Sequence, residues 1–197
     1  MSLFTRRQRE ILDASVQLID ESGIQNLTIK NLANRMQISE PAIYRHFDSK
    51  IDILIAILDD FNLKIEKNIS VQPGLILEKG MDSLMRIKHI FTNHLNFFTG
   101  NPAMASVVFS EEIFQNDKRL SDRVYSIMKY RLEIITGLIK KGQEEGAIRS
   151  DVHAEQIALL FTGSLRMIVA RWRLSKREFD LVKSGSDLIE TIIMLIS

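Results

Sequence analysis

The sequence predicts an all-α fold of about nine helices, and three observations carry that prediction. Apolar residues recur at intervals of three and four along nearly the whole 197-residue chain, which is the spacing of an amphipathic helix. No segment alternates apolar and polar residues in the manner of a half-buried strand. Only three prolines and nine glycines interrupt the pattern, so long helices joined by short loops are expected.

The first two helices are bounded by local signals. Thr5-Arg6-Arg7-Gln8 fits a capping box, in which the Gln8 side chain reaches back to the amide of the capping residue. Gly23 stands where a left-handed residue would end that helix. Thr28 can cap a short second helix that ends at Met36.

The next two helices have equally clear starts. Ser39 caps a short third helix with Pro41 in its first turn, and this helix is expected to end near Phe47. Ser49-Lys50-Ile51-Asp52 is a second capping box, which opens a fourth helix running to about Asn68.

The remaining helices follow the apolar periodicity and the turn residues. Gly185 predicts a late start for the last helix, at Ser184 or Ser186. The expected ranges are 75–98, 102–114, 118–145, 154–174 and a final helix within 178–196.

Composition excludes several classes of protein. With 26 basic and 25 acidic residues, the chain has a formal net charge of +1, which argues against a protein that coats nucleic acid through overall positive charge. The absence of cysteine excludes disulfides, thiol catalysis and cysteine-based zinc sites. No apolar run approaches the roughly 18 residues of a membrane-spanning helix, and no signal peptide is recognisable, so a cytoplasmic protein that contacts no membrane is expected.

No catalytic motif or cofactor motif is recognisable. The sequence contains no Walker loop, no His-Glu-x-x-His pair and no nucleophile elbow, so neither an enzyme nor a cofactor is expected. His89 and His94 are five residues apart and fall on different faces of a helix, so no metal site is expected.

Residues 28–47 contain two short helices joined by Gln37-Ile38-Ser39. Helices this short are unstable alone in water, so they must pack on each other and on a third helix. This arrangement is that of a helix-turn-helix, whose second helix enters the major groove of DNA through its N-terminal residues. The expected packing face consists of Leu32, Ala33, Ile38, Ile43 and Phe47.

Two runs of sequence resemble the N-terminal signature of the tetracycline-repressor (TetR) family. They are Leu27-Thr28-Ile29-Lys30-Asn31-Leu32-Ala33 and Ile38-Ser39-Glu40-Pro41-Ala42-Ile43-Tyr44-Arg45-His46-Phe47-Asp48-Ser49-Lys50. The resemblance covers about residues 5–55, and its specific part is Tyr-x-His-Phe-x-Ser-Lys. It implies an N-terminal three-helix DNA-binding domain, residues 1–50, and a larger helical ligand-binding and dimerisation domain, residues 51–197.

The resemblance also implies a function. A protein of this family would be a homodimeric repressor that binds a palindromic operator in double-stranded DNA and releases it when a small, largely apolar ligand binds the C-terminal domain. Two copies of the reading helix about 34–36 Å apart would match successive major grooves. A ligand that favours another separation lowers DNA affinity, and the fourth helix is the expected lever.

Candidate DNA contacts follow from the chemistry of the exposed positions. Hydroxyls and free amides at the starts of helices can hold phosphate, and lysines supply charge. Arg45 fits the O6 and N7 atoms of guanine, and Tyr44 can meet a phosphate or a thymine methyl. Arg6, Arg7 and Arg9 form a basic arm for the flanking backbone or minor groove. The candidate DNA-binding residues are Thr28, Lys30, Ser39, Glu40, Pro41, Ala42, Tyr44, Arg45, His46 and Lys50.

Several of these residues have a second interpretation. Many relatives carry a small or basic residue at the position of Glu40 and Gly or Ala at that of Pro41. Glu40 can accept a hydrogen bond from cytosine, or it can interact only with the helix dipole. Tyr44 and His46 could pack under the fourth helix, and Lys50 could be an ordinary solvated lysine.

The middle helices are rich in methionine and aromatic residues. Such residues line adaptable apolar pockets, but they also fill ordinary helical cores, and for each residue core packing is the simpler interpretation. The candidate pocket residues are Met81, Met85, Phe91, His94, Phe98, Met104, Phe109 and Met128.

The last two helices are apolar on more than one face, which predicts burial both inside the subunit and against a partner. A two-fold interface of four helices would result. Arg171 and Arg173 would lie beside it, or form a solvated edge. The candidate interface residues are Leu160, Ser164, Ile168, Leu188, Ile192 and Leu195.

A second functional hypothesis stays open. The chain could be a DNA-localised helical protein-interaction module without a small-molecule inducer. A solidly filled C-terminal core would favour this alternative, and an apolar cavity would oppose it.

Overall fold

A computed structural model describes residues 3–70, 82–109 and 117–197. Within these ranges the regular structure is helical and no strand occurs, which confirms the all-α prediction. The nine α-helices described are α1 (Arg6–Ser22), α2 (Ile29–Met36), α3 (Glu40–Tyr44), α4 (Lys50–Ser70), α5 (Ser83–Gly100), α6 (Pro102–Val108), α7 (Lys118–Glu144), α8 (Ala154–Leu174) and α9 (Leu181–Ile196).

The chain forms two compact units. The first comprises Met1–Lys64 and Asn101–Tyr125, and the second comprises Ile65–Gly100 and Ser126–Ser197. Helices α4 and α7 therefore each contribute residues to both units. The expected functional boundary between residues 50 and 51 stays a prediction.

The start of α1 is the capping box that its sequence predicts. The Thr5 hydroxyl accepts from the Gln8 amide at 3.2 Å, and the Gln8 side chain accepts from the Thr5 amide at 3.0 Å. Gly23 ends the helix with a φ of 82°. The buried face of α1 packs against α2 and α6, and the Ser106 hydroxyl of α6 donates to the Asp20 carboxylate at 2.7 Å.

Helix α3 ends at Tyr44, so the prediction that it extends to about Phe47 is wrong. The backbone leaves the helix in a turn, in which the His46 and Phe47 amides both donate to the Ile43 carbonyl, at 2.8 and 3.1 Å. This turn places the Phe47 side chain in the core, where it is 7% exposed. The apolar pattern predicts the burial of Phe47, but it cannot distinguish a last helical turn from a tight turn that buries the same residue.

Helix α4 begins at Lys50 as predicted. The Ser49 hydroxyl accepts from the Asp52 amide at 3.3 Å and donates to the Asp52 carboxylate at 2.5 Å. The helix continues to Ser70, two residues beyond the expected end.

The core of the second unit lies among α5, α8 and α9. Phe91 of α5 and Phe161 of α8 pack edge to face with ring centroids 5.1 Å apart, and both side chains are almost fully buried. Helix α9 packs on both α5 and α8. Residues 75–81 and 110–114, which were expected to be helical, lie outside the described ranges.

The predicted late start of α9 is wrong. The helix begins at Leu181, because the Asp180 carboxylate caps it by accepting from the Lys183 amide at 2.9 Å. Gly185 lies inside the helix, where a Cβ atom would overlap the buried Leu95 side chain of α5. The glycine permits this close approach of the two helices, at the usual cost in helix propensity.

Replacement of Gly185 by Val is expected to lower the free energy of unfolding by about 1–3 kcal/mol, because the added methyl groups overpack the contact with Leu95. Gly137 provides a matched control, since a Cβ atom there meets nothing within 4 Å. Urea unfolding of Gly137→Val should agree with the parent within about 0.5 kcal/mol. Equal effects at the two positions would show that the α5–α9 contact tolerates the added volume.

Candidate nucleic-acid interface

The helix-turn-helix of the first unit is held by a small apolar core. Leu32 and Ala33 of α2, Ile43 of α3 and Phe47 after it are all buried. Arg35 adds a polar link from α2 to α1, because its guanidinium donates to both oxygens of Glu21 at 2.6 and 2.8 Å. Hydrogen bonds from Arg35 hold the pKa of Glu21 below its ordinary value.

None of the ten candidate DNA-binding residues is buried. Ala42 and His46 are half-buried, and Tyr44 has 49% of its surface exposed. The structure thus leaves Tyr44 accessible, which supports contact with DNA over packing beneath α4. The other seven, all exposed, are Thr28, Lys30, Ser39, Glu40, Pro41, Arg45 and Lys50.

The cations of this region fall into two groups. Arg35 is committed to Glu21, whereas Lys30, Arg45 and Lys50 make no hydrogen bond or ion pair with any part of the chain that the structure describes. These three cations can therefore bind phosphate or base edges without breaking a contact inside the protein.

The ends of the short helices differ in how they are capped. The Thr28 hydroxyl caps α2 by accepting from the Asn31 amide at 3.0 Å, whereas Ser39 makes no side-chain capping bond at α3. The Ser39 hydroxyl therefore does not cap α3. Glu40 is exposed in the first turn of α3, and both interpretations of its role stay open.

The expected basic arm is partly neutralised. Arg6 and Arg7 both donate to Glu10, at 3.1 and 2.7 Å. The hydrogen bond from Arg7, followed by that from Arg6, lowers the pKa of Glu10 below its ordinary value. The i,i+3 and i,i+4 spacing of these residues is the signal that could have predicted the pairing.

The candidate pocket residues are divided between the two units. Phe91, His94 and Phe98 lie together on the buried face of α5 in the second unit. Met104 and Phe109 belong to the first unit. Met85 and Met128 are 54% and 52% exposed, and Met81 lies outside the described residues.

His94 is held as a neutral imidazole. Its Nδ1 atom donates to the Ile90 carbonyl at 2.8 Å, and its Nε2 atom lies 2.8 Å from Nη1 of Arg131, from which it accepts. Burial, and then the charge of Arg131, lower the pKa of His94 to about 4. Burial also lowers the pKa of Arg131 to about 10, while the Glu66 carboxylate acts in the opposite direction.

Sequence reasoning missed Arg131 and Glu66. The overlooked signal is the position of Arg131 on α7, four residues after Ile127 and four before Ile135, both of which are buried. A charged residue in the register of the buried stripe needs a polar partner inside the fold.

The candidate interface residues of α8 and α9 point in different directions. Leu160 and Leu195 are 48% and 60% exposed, and Ser164 and Leu188 are half-buried. Ile168 and Ile192 are only 7% and 3% exposed within one subunit, so their side chains pack mainly in its own core. Four further exposed apolar side chains on these helices were not among the candidates: Leu159, Met167, Leu174 and Met194.

Arg171 is exposed and also contacts an aromatic ring. The Arg171 guanidinium lies 5.1 Å from the ring centroid of Phe179, within cation–π distance.

Among the described residues no cluster of His, Asp and Glu side chains could hold a metal ion, and no described helix is long and apolar enough to cross a membrane.

Two family models match this chain. Residues 11–57 match "Bacterial regulatory proteins, tetR family", and residues 61–195 match "YsiA-like protein, C-terminal region". The fatty acid metabolism regulator protein of Bacillus subtilis (strain 168) is 24% identical over 184 residues, which cover 93% of this chain and 92% of that protein. The nucleoid occlusion factor SlmA of Vibrio campbellii is 29% identical over 126 residues, which cover 64% of this chain and 62% of that protein.

Solved structures share the fold. The fatty acid degradation regulator FadR from Bacillus halodurans superimposes with a TM-score of 0.84 at 20% identity, over 98% of this chain and 97% of that one. The transcriptional regulator FadR from Bacillus subtilis, in complex with stearoyl-CoA, superimposes with a TM-score of 0.78 at 22% identity, over 98% and 100% of the two chains.

Proposed function

This chain belongs to the TetR family of bacterial regulatory proteins, and on that basis we propose that it represses transcription from a palindromic operator until an effector with a long apolar chain binds. Regulators of this family bind operator DNA, dimerise and respond to small molecules. The proposal places the protein in the cytoplasm, on the chromosome, and assigns it no catalytic role.

One observation carries the DNA-binding part of the proposal. The segment that matches the family signature presents Tyr44 and Arg45 at the end of α3, both exposed, while the apolar residues beside them are buried. Lys30 and Lys50 flank them, with no partner among the described residues. This arrangement supports Arg45 as the reader of a base edge and the lysines as phosphate contacts.

The effector class is proposed from two relatives. One is a fatty acid metabolism regulator, and another was solved with stearoyl-CoA bound. In this chain, we place the acyl chain along the apolar side of α5, where Phe91 and Phe98 are buried. We therefore propose an acyl compound with an anionic group as the effector.

The experiment is a gel-shift assay on the DNA upstream of the protein's own gene, followed by addition of stearoyl-CoA. We expect a sequence-selective complex that stearoyl-CoA dissociates and free coenzyme A does not. A genomic selection that yields no palindrome would contradict the repressor. A complex that is equally stable with and without stearoyl-CoA would contradict the effector class.

The alternative of an interaction module without inducer has limited support. Its basis is the likeness to SlmA, a nucleoid occlusion factor, which covers 62% of that protein. The gel-shift assay separates the two functions, since the alternative requires DNA binding that no acyl compound changes.

Two substitutions are expected to separate base reading from phosphate contact. Arg45→Ala should relax the preference at one base position in each half-site, at a cost of about 1–3 kcal/mol there. Lys50→Ala should weaken all sites alike and reduce the slope of log affinity against log salt by about one for each phosphate that the lysine no longer neutralises. Binding to a randomised operator library at several salt concentrations measures both effects. Unchanged preference in Arg45→Ala, or an unchanged salt slope in Lys50→Ala, would refute the respective role.

A further inference from the structure

Interactions link three polar side chains of the second unit. Glu66 is on α4, His94 on α5 and Arg131 on α7. His94 is 7% exposed, and Nη1 of Arg131 donates to its Nε2 atom at 2.8 Å. The Glu66 carboxylate stabilises the charged form of Arg131 electrostatically, which raises the pKa of that guanidinium.

His94 is an unusual hydrogen-bond partner for a buried cation. A guanidinium normally pairs with a carboxylate in a bidentate geometry. Here the hydrogen bond to His94 goes to a neutral ring, because Nδ1 of that ring donates to the Ile90 carbonyl. The Glu66 carboxylate supplies a negative charge that acts on Arg131, whereas the neutral ring of His94 supplies none. Burial of a guanidinium is strongly unfavourable unless a charge compensates it.

Buried apolar residues precede and follow His94 and Arg131 on their own helices. Phe91 and Phe98 lie about one turn before and after His94 on α5 and are 0% and 2% exposed. Ile127 and Ile135 occupy the same register around Arg131 on α7 and are 9% and 4% exposed. An apolar wall with a few converging polar groups is the usual form of a site for an amphipathic ligand.

We propose that Arg131 anchors the anionic group of an acyl effector, and that this anion takes the place of Glu66 beside the guanidinium. The inference rests on the proposed function and assigns the polar end of the effector site. The ligand chemistry is an anionic oxygen, either the carboxylate of a fatty acid or a phosphate of an acyl-CoA. Replacement of one anion by another leaves the buried cation compensated in both states.

Replacement of Glu66 by the ligand anion would also affect helix α4, because Glu66 lies on that helix. Glu66 lies four residues before the end of α4, a helix that begins at Lys50 beside the DNA-binding residues and contributes to both units. Loss of the attraction between Glu66 and Arg131 removes one of the interactions that fix this end of α4. The exchange thereby couples effector binding to the helix expected to act as the lever.

The test titrates stearate, stearoyl-CoA and the neutral methyl stearate into the full-length protein, with the fluorescence of its single tryptophan, Trp172, and calorimetry as readouts. Arg131→Met should weaken binding of the anionic ligand about tenfold to a hundredfold and leave methyl stearate unchanged. Glu66→Gln should have the opposite effect and tighten anion binding severalfold, because it removes the competing carboxylate. Glu133→Gln, an exposed change on the same helix as Arg131, is the matched control and should change neither.

Opposite effects of Arg131→Met and Glu66→Gln on anion affinity would distinguish a role in binding from a purely structural role. If the three groups only hold the helices together, both substitutions should lower stability and weaken all three ligands alike, which would overturn the proposal. Unchanged anion affinity in Arg131→Met, or weaker anion binding in Glu66→Gln, would also overturn it. Glu66→Gln is nearly isosteric, so it remains informative if Arg131→Met fails to fold.

The outcome also separates this inference from the proposed function. If the parent protein binds all three probes and leaves its operator, while Arg131→Met responds identically, the anchor is refuted and the repressor stands. If the parent binds none of the probes, the effector class and the anchor are both refuted. A preference for stearate over stearoyl-CoA would assign the anion to a carboxylate, and the reverse preference would assign it to a phosphate.

Discussion

The double substitution Leu160→Asp, Leu195→Asp is expected to convert the dimer into a monomer and to abolish specific operator binding. Both leucines are exposed within a single subunit, on α8 and α9, and further exposed apolar side chains accompany them. A face of this composition is unfavourable in water and favours a self-complementary contact between two copies. Because an isologous interface contains each residue twice, every substitution introduces two charges into it.

The expected effect is large. Each buried leucine contributes roughly 1.5–3 kcal/mol, and each unpaired buried carboxylate adds a further penalty, so the dimer should weaken by at least about a thousandfold. Sedimentation velocity measures the oligomeric state, and a gel shift measures operator binding. Tyr125→Asp, at a side chain that is 69% exposed on α7, is the matched control and should leave the protein dimeric. A double variant that still sediments as a dimer would place the interface elsewhere.

The structure also revises which residues suit this experiment. The sequence alone offers Ile192 and Leu188 as equivalent targets, since both lie on an apolar helix. Ile192 is 3% exposed within its own subunit, so a charge there would unfold the core before it could test the interface. The sequence predicts that α9 is apolar on two faces. Which residues lie on the inner face depends on the positions of α5 and α8, and these could not be predicted.

Features determined by neighbouring residues could be predicted closely. The capping boxes at Thr5 and Ser49 and the cap at Thr28 each depend on residues three positions apart, and the starts of these helices are confirmed. The bounds of α8 agree fully with the expected 154–174. The family signature in the first 50 residues likewise identified a set of positions none of which is buried.

Features determined by distant residues could not be predicted. From the sequence alone, Gly185 indicated a weak point in the last helix. The structure shows that a glycine is needed there because Leu95, ninety positions earlier in the chain, packs against it. His94 was identified as a candidate, but its partner Arg131 is on another helix, and the spacing between them carries no periodic signal. The exposed Met85 and Met128 were selected for chemistry alone, without knowledge of the faces on which they lie.

The stability of the protein is expected to fall as the pH decreases from 7 to 5, because of His94. Its pKa is about 4 in the folded chain, below the ordinary value of 6.5. Within this range the unfolded chain binds a proton at this position and the folded chain does not, so acid favours unfolding. The stabilisation is complete above the unfolded pKa and is lost progressively as the pH falls toward the folded one. The two values imply a loss of about 2 kcal/mol between pH 7 and pH 5.

Urea unfolding of His94→Gln measures this contribution, since the glutamine carbonyl can still accept from Arg131 but the side chain does not titrate. The variant should lose about 2 kcal/mol less than the parent between the two pH values, whatever its stability at pH 7. Glu10 and Glu21, whose pKa is lowered by their arginine partners, are present in both proteins, so their contribution to the pH dependence cancels in the comparison. His153→Gln, at an exposed position before α8, removes an imidazole that is not buried and is the matched control. Identical pH dependence in the parent and His94→Gln would mean that folding does not lower the pKa of His94, which would contradict the neutral, buried ring proposed here.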